Sequence, residues 1–211
     1  MVELETKRSE PQSQVISNLE TAVEQLKLEI DERDQQMLGN DIEIANYPEC
    51  NKNATHVVLT VAKILGVEVG ERDVVSAVRM GAPPRTGAAD VGGERPRPIV
   101  VRLACRDLRD ALLRAARVRR RLTVPSNSES STTTSPRLFY INERLTRRNR
   151  QLFLRAREAA KRLNWKFVWT RDGKIFARRE HAGERLRLRS EVDLVTVFGD
   201  NFVGDANQSA Q

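Results

Sequence analysis

The sequence predicts an α+β protein built as a leading helix, a β-α-β-β-α-β domain and a small C-terminal α+β domain made of a helix, a β-hairpin, a strand and a short helix. Three observations carry that prediction. Apolar residues between Ile16 and Met37 recur in alternating steps of three and four, the spacing of a heptad seam. Short β-branched runs then alternate with amphipathic helical stretches as far as Ile141. Finally, from Pro136 to Ser190 the chain holds 17 Lys and Arg against 5 Asp and Glu, a balance of +12 that exceeds the +7 of all 211 residues.

The boundaries read as 1–14 disordered, 15–39 coiled coil, 40–142 central domain, 143–199 basic domain and 200–211 disordered acidic tail. In the first helix, Ile16, Val23 and Ile30 occupy one core position and Leu19 and Leu26 the other, with Met37 closing the seam and Arg33 interrupting it. Branched residues at the first position and Leu at the second favour two strands in a parallel coiled coil, while Glu29 and Asp34 would face each other as like charges across such a pair. Dimer and trimer both remain open. So does a single amphipathic helix packed on its own domain.

Asp41 to Pro48 reads as a strand, and Asn53 to Leu65 as a helix capped by Asn53 and ended by Gly66. Val74 to Arg79 and Ile99 to Leu103 read as strands on either side of a flexible loop, 81–98, rich in Gly and Pro. A strong helix follows from Cys105 to Arg120, its apolar face formed by Leu108, Leu112, Ala115 and Ala116 and its other sides by Arg109, Arg114, Arg117 and Arg120. Residues 125–136 are low-complexity and polar, a second flexible loop, and Leu138 to Ile141 is the strand that completes the unit.

The last domain opens with a helix from Thr146 to Leu163. Leu145, Leu152, Ala156, Ala159 and Leu163 share a narrow arc, and Arg147, Arg150, Arg157 and Lys161 cover the opposite side. Asp172-Gly173 between Trp165–Thr170 and Lys174–Glu180 is a two-residue hairpin signal. Its register sets Trp169 against Phe176 and Phe167 against Arg178, with Val168 and Ala177 on the other face. Arg185 to Arg189 alternates like a half-exposed strand, and Ser190 with Asp193 caps a short helix that ends at Gly199.

Such a concentration of positive charge attracts a polyanion, most simply nucleic acid. A solvated arginine surface that keeps a small domain soluble is the bland alternative. Catalysis is not expected, because His56 and His181 are the only histidines and no Walker, HExxH or GxSxG motif is present. Cys50 and Cys105 are far apart without CxxC spacing, so no metal or cofactor is expected either. With no hydrophobic leader and no membrane-spanning run, the expected compartment is cytoplasmic, nuclear or both, without secretion or membrane insertion.

Five segments in order, VRMG, RPRPIVVRL, RAARVRRRLT, LFYINERLT and FVWTRDGKIFARRE, resemble the FP (few polyhedra) proteins of baculoviruses and their insect relatives. The layout is also similar to the first-open-reading-frame protein of LINE-type retrotransposons, a coiled coil followed by an RRM-like domain and a small C-terminal domain. The likeness spans about residues 16 to 199. It implies a homo-oligomeric binder of single-stranded RNA or DNA with a packaging or chaperone-like role. It also implies RNA contact at Arg102 and Arg117, and a basic position at Arg79. An RNA-recognition motif stacks bases on aromatics of its central strands, but here those strands offer only Tyr47 at a strand end.

The expected contacts are therefore arginine to phosphate. Arg117, Arg119, Arg120 and Arg121 would line one wall of a groove, and Arg144, Arg147, Arg148, Arg155 and Lys161 the other. Trp165, Phe167 and Trp169 could stack on bases or form core, and aromatics on a hairpin beside a helix are more often core. The rival reading is a structural scaffold of virions that binds other proteins through its coiled coil without physiological nucleic acid.

Overall fold

The computed structural model describes residues 3–50, 52–82, 96–119, 121–124 and 138–199, with side chains from residue 14 onward. The chain forms two compact units, Leu38–Arg144 and the pair of segments Met1–Met37 with Leu145–Gln211.

In the first unit, β1 (Asp41–Ala45), α2 (Ala54–Leu65), β2 (Val74–Arg79), β3 (Ile99–Leu103), α3 (Arg106–Val118), β4 (Leu122–Thr123) and β5 (Leu138–Glu143) follow in chain order. The strands form one antiparallel sheet in the order β2-β3-β1-β5-β4. The expected β-α-β-β-α-β succession is present, with the two-residue β4 added at the edge. The strands alternate as half-buried strands should. Ile42, Ile44, Ile99, Val101 and Phe139 turn inward and meet Val57, Val58 and Val61 of α2 and Leu112 of α3 in one apolar core.

Local chemistry sets the helix ends. Asn53 Oδ1 accepts from the Thr55 N–H at 3.2 Å, and Gly66, at φ 72°, closes α2. One expectation fails on α3. Arg109 is buried rather than solvated, with Nη1 2.6 Å from Asp110 and Nη2 3.6 Å from Glu143. Glu143 points inward from β5, and a buried carboxylate requires a cationic partner. The loop 125–136 lies outside the described residues, as does all of 81–98 except 81–82 and 96–98.

The second unit contains α1 (Glu3–Met37), α4 (Arg147–Arg162), β6 (Phe167–Arg171), β7 (Lys174–Arg178), β8 (Leu186–Leu188) and α5 (Glu191–Phe198). Helical backbone begins at Glu3, where disorder through residue 14 was expected. Glu, Lys, Arg and Gln are good helix formers, and a helix already nucleated extends at little cost per residue. The acidic tail 200–211 lies outside the described residues.

Strands β6, β7 and β8 pair in order, and the hairpin register is the predicted one, Trp169 opposite Phe176 and Phe167 opposite Arg178. Asp172 and Gly173 both take positive φ, 55° and 71°, as a two-residue hairpin loop demands. The inward face of this sheet, Ile175, Ala177 and Leu188, packs on Leu152, Ala156, Ala159 and Ala160 of α4 and on Leu194 and Phe198 of α5. Three alanines on α4 allow it to approach the strands closely. Trp165 joins this core, with its ring 4.8 Å from that of Phe198 in an edge-on contact.

The end of α1 is tied to the start of α4 by polar contacts. Gln35, buried, accepts through Oε1 from the Thr146 N–H at 3.0 Å and from Asn149 Nδ2 at 3.1 Å. The Thr146 hydroxyl donates to Asp31 at 2.9 Å while accepting from the Asn149 N–H at 3.2 Å as the N-cap of α4. Gly173 completes the joint, since a Cβ there would come within 2.5 Å of Gln35 Cγ.

Gly173→Ala is expected to lower stability by about 1–3 kcal/mol, through left-handed strain and displacement of Gln35. In a Gln35→Ala background the displacement component disappears, so thermal unfolding of the double-mutant cycle should show sub-additive losses.

Candidate nucleic-acid interface

The eleven cations singled out from the sequence fall into distinct physical situations. Arg79 is a structural residue. Its side chain is only 11% exposed, and its guanidinium donates to the carbonyls of Tyr47, Pro48 and Arg97 and pairs with Glu49 at 3.4 Å. It joins the end of the β1 segment to the chain entering β3, so most of this expected contact residue is engaged within the first unit. Arg97 supports the same joint through two nitrogens on Glu49, at 3.2 Å and 3.0 Å. Partial burial opposes ionisation of Glu49, but the hydrogen bonds from Arg97 and the charge of Arg79 outweigh it and hold the carboxyl below its usual range.

Arg102 and Arg144 stand on the sheet face turned away from the helices, each on a carboxylate of β1. Arg102 binds Asp41 through two nitrogens at 2.8 Å and 3.0 Å, and this hydrogen-bonded pairing raises the guanidinium pKa above its ordinary value. Its side chain remains 46% exposed, whereas that of Asp41 is 6% exposed. Arg144 lies 2.6 Å from Glu43 and is largely covered. Much of the charge of both arginines is therefore balanced by the sheet itself.

Arg117 and Arg119 lie at the C-terminal end of α3. Arg117 is 59% exposed, and it shares Glu143 with Arg109 at 3.4 Å. Arg119 is the C-cap residue, and its guanidinium donates to the Ile64 carbonyl. Arg121 is exposed, and Arg120 lies outside the described residues.

The remaining four share α4. Arg147 and Lys161 are exposed, Arg148 is half-buried, and Arg155 pairs with Glu191 of α5. Arg150 and Arg157 are exposed on the same helix, whose one acid is Glu158. The first turn carries Arg147, Arg148 and Arg150 and no acid. A cation there faces the positive end of the helix macrodipole, at a cost of about 0.3–1 kcal/mol each. The first turn of α5 follows the opposite rule, with Glu191 and Asp193. The basic start of α4 runs against this dipole rule.

The aromatic residues divide in a way the sequence reading left open. Tyr47 is buried, its ring 5.5 Å from Phe139, and offers nothing to a ligand. Tyr140, 54% exposed on β5, is not among the sequence-predicted site residues, although strand alternation points it to the face away from Phe139 and therefore outward. In the second unit Trp165 is core, while Phe167 and Trp169 lie on the outer face of the hairpin with Phe176 and Arg178. Phe176, Arg178 and Arg185 were not chosen as site residues, yet the hairpin register alone puts the first two beside Trp169 and Phe167.

The seam of α1 is bare. Ile16, Leu19, Val23, Leu26, Ile30 and Met37 are 48–75% exposed, while another side of the helix, at Asp31, Glu32 and Gln35, is joined to the C-terminal module. Among the described residues no helix is long and apolar enough to cross a membrane. No group of three or more His, Cys, Asp or Glu among them is placed to hold a metal ion.

Residues 146–198 match the family described as Baculovirus FP protein domain 2. The match runs from the N-cap of α4 to the last residue of α5 and so coincides with the C-terminal module. It supports a relationship of that module to the baculovirus FP proteins. No curated protein matches the chain.

Arg102→Ala leaves Asp41 buried without its guanidinium and should cost about 1–3 kcal/mol of stability. Arg117→Ala, whose partner Glu143 retains Arg109, should cost less than about 1 kcal/mol. Denaturant titrations of the two variants check this order.

Proposed function

We propose that this chain is a homo-oligomeric binder of single-stranded nucleic acid, RNA in the first instance, that acts through arginine–phosphate contacts in packaging or chaperoning a strand. The observation that carries the reading is α4, a helix with seven Lys and Arg and one Glu, whose first turn places three arginines where helix physics disfavours them. Cations kept against a local stability rule point to a function, and a polyphosphate is the partner that relieves their mutual repulsion.

The exposed seam of α1 supports the oligomeric half of the reading. Six large apolar side chains in heptad spacing are costly to leave in water, and a second or third copy of the same helix offers the matching seam. Joined copies raise the effective concentration of one another's phosphate-binding surfaces, so modest contacts can coat a long strand. The layout similar to retrotransposon first-open-reading-frame proteins, including the RRM-like reading of the central domain, supports the same conclusion.

If about five cationic groups per copy each displace counterions from a single strand, log affinity should fall with log salt at a slope of about −3.5. A mobility-shift series on single-stranded RNA, single-stranded DNA and duplex at several ionic strengths measures this, and a flat salt response overturns the proposal.

Placing charges in the seam, Leu19→Asp with Leu26→Asp, should yield monomers in sedimentation. It should weaken binding to a long strand by about 10²-fold or more while leaving affinity for a strand that reaches one copy nearly unchanged.

A further inference from the structure

The C-terminal hairpin has already completed a core on its inner face, yet its outer face carries aromatic rings as well. We propose that this outer face is a stacking platform for unpaired bases of a single strand, a reading that rests on the function proposed above and adds base contacts to it.

The geometry is specific. Phe167 and Trp169 on β6 and Phe176 on β7 all stand on one side of the sheet, opposite in pleat to Val168, Ile175 and Ala177. All three are half-buried, and Phe167 also meets the His181 ring edge-on at 4.6 Å. The rings of Trp169 and Phe176 stack on each other across the two strands, 5.8 Å apart at 26°. Arg178 lies 4.7 Å from the Phe167 centroid and 5.9 Å from that of Trp169, and Arg185 lies 4.9 Å from Phe176. The Nε of Arg178 is buried with no hydrogen-bond partner.

Each of these features suits a nucleobase. A ring stacks on an aromatic or guanidinium plane without regard to sequence. The arginine charge lies beside it for the phosphate that follows. An apolar protein partner would have to desolvate Arg178 and Arg185 with nothing to neutralise them, which is unfavourable. A polyanion carrying flat apolar rings satisfies both halves of the surface. In an RNA-recognition motif the bases would instead stack on the five-stranded sheet. There Tyr140 is the one exposed ring among the described residues, beside carboxylates held by Arg102 and Arg144.

The full-length protein is titrated with a twenty-nucleotide oligothymidylate and with an abasic phosphodiester strand of equal length and charge. The wild type should prefer the base-bearing strand by about tenfold or more at fixed ionic strength. Trp169→Ala and Phe176→Ala should each remove most of that preference while changing affinity for the abasic strand less than about twofold, and Trp169→Phe should keep most of it. Tryptophan fluorescence supplies an independent readout that needs no destabilising variant. The base-bearing strand should quench the wild type, and the quenching should be lost in Trp169→Phe, whose remaining Trp165 is packed against Phe198.

Equal affinity of the wild type for the two strands overturns the platform and leaves phosphate binding standing. Parallel loss for both strands in Trp169→Ala, or competition by polyglutamate as effective as by oligothymidylate, also overturns the platform. Binding to neither strand overturns the underlying function and the platform together.

Discussion

One buried amide ties the leading helix to the C-terminal module. Gln35 Oε1 accepts from both the Thr146 N–H and Asn149 Nδ2, and by doing so it fixes the end of α1 to the first turn of α4. The contact joins the two features on which a polyvalent binder depends, an apolar seam that can recruit copies and a helix crowded with cations. A flexible connection would let each copy's charges wander relative to the assembly axis. Here Asp31, Gln35 and Gly173 close around the cap, and Glu32 pairs with Arg187 of β8 nearby. The acids of α1 also temper the charge next to them. Glu24 is held below its usual pKa, first by a hydrogen bond from Lys27 and to a smaller degree by the charge of Arg148.

Arginine serves two different purposes in this chain, and burial of the partner carboxylate tells them apart. Where the acid is buried, as with Asp41 and Glu143, the guanidinium next to it is first a compensation for burying that carboxylate. Arg102 and Arg109 belong to this group, and Arg79 is similar in holding backbone carbonyls. Where cations line a helix with one acid among them, as on α4, the carboxylate that Arg155 meets is an exposed one. Surface ion pairs contribute little to stability, so Arg155 with Glu191 does not change the balance. Counting arginines therefore overstates the exposed positive charge in the first unit, where several of them are engaged by buried carboxylates or carbonyls.

Much of the fold was legible because local chemistry dictates it. Asp172-Gly173 fixed the hairpin and its pairing to the residue, Asn53, Thr146 and Ser190 marked helix starts, and Gly66 and Gly199 marked ends. What escaped is non-local. Arg109 looks like any surface arginine on a helical wheel until β5 places Glu143 beneath it. Arg79 reads as a free cation until the segment after Tyr47 wraps around it. Tyr140 differs, because alternation within LFYI alone points it outward, away from the core side taken by Phe139.

The aromatics on the hairpin show why composition and register must be read together. Five per cent aromatic content is low, and taken alone it favours a binder that works through charge. Register changes that judgement by collecting three of those few rings on one outer face and by bringing Arg178 and Arg185 onto them. An arginine laid over a ring keeps it from being an aggregation-prone patch in the free protein, and its charge is in place for a phosphate when a base takes up the ring. In the binder proposed here, charge would set the rate and salt dependence of encounter, and stacking would set preference for unpaired strands over duplex, whose bases are occupied by each other.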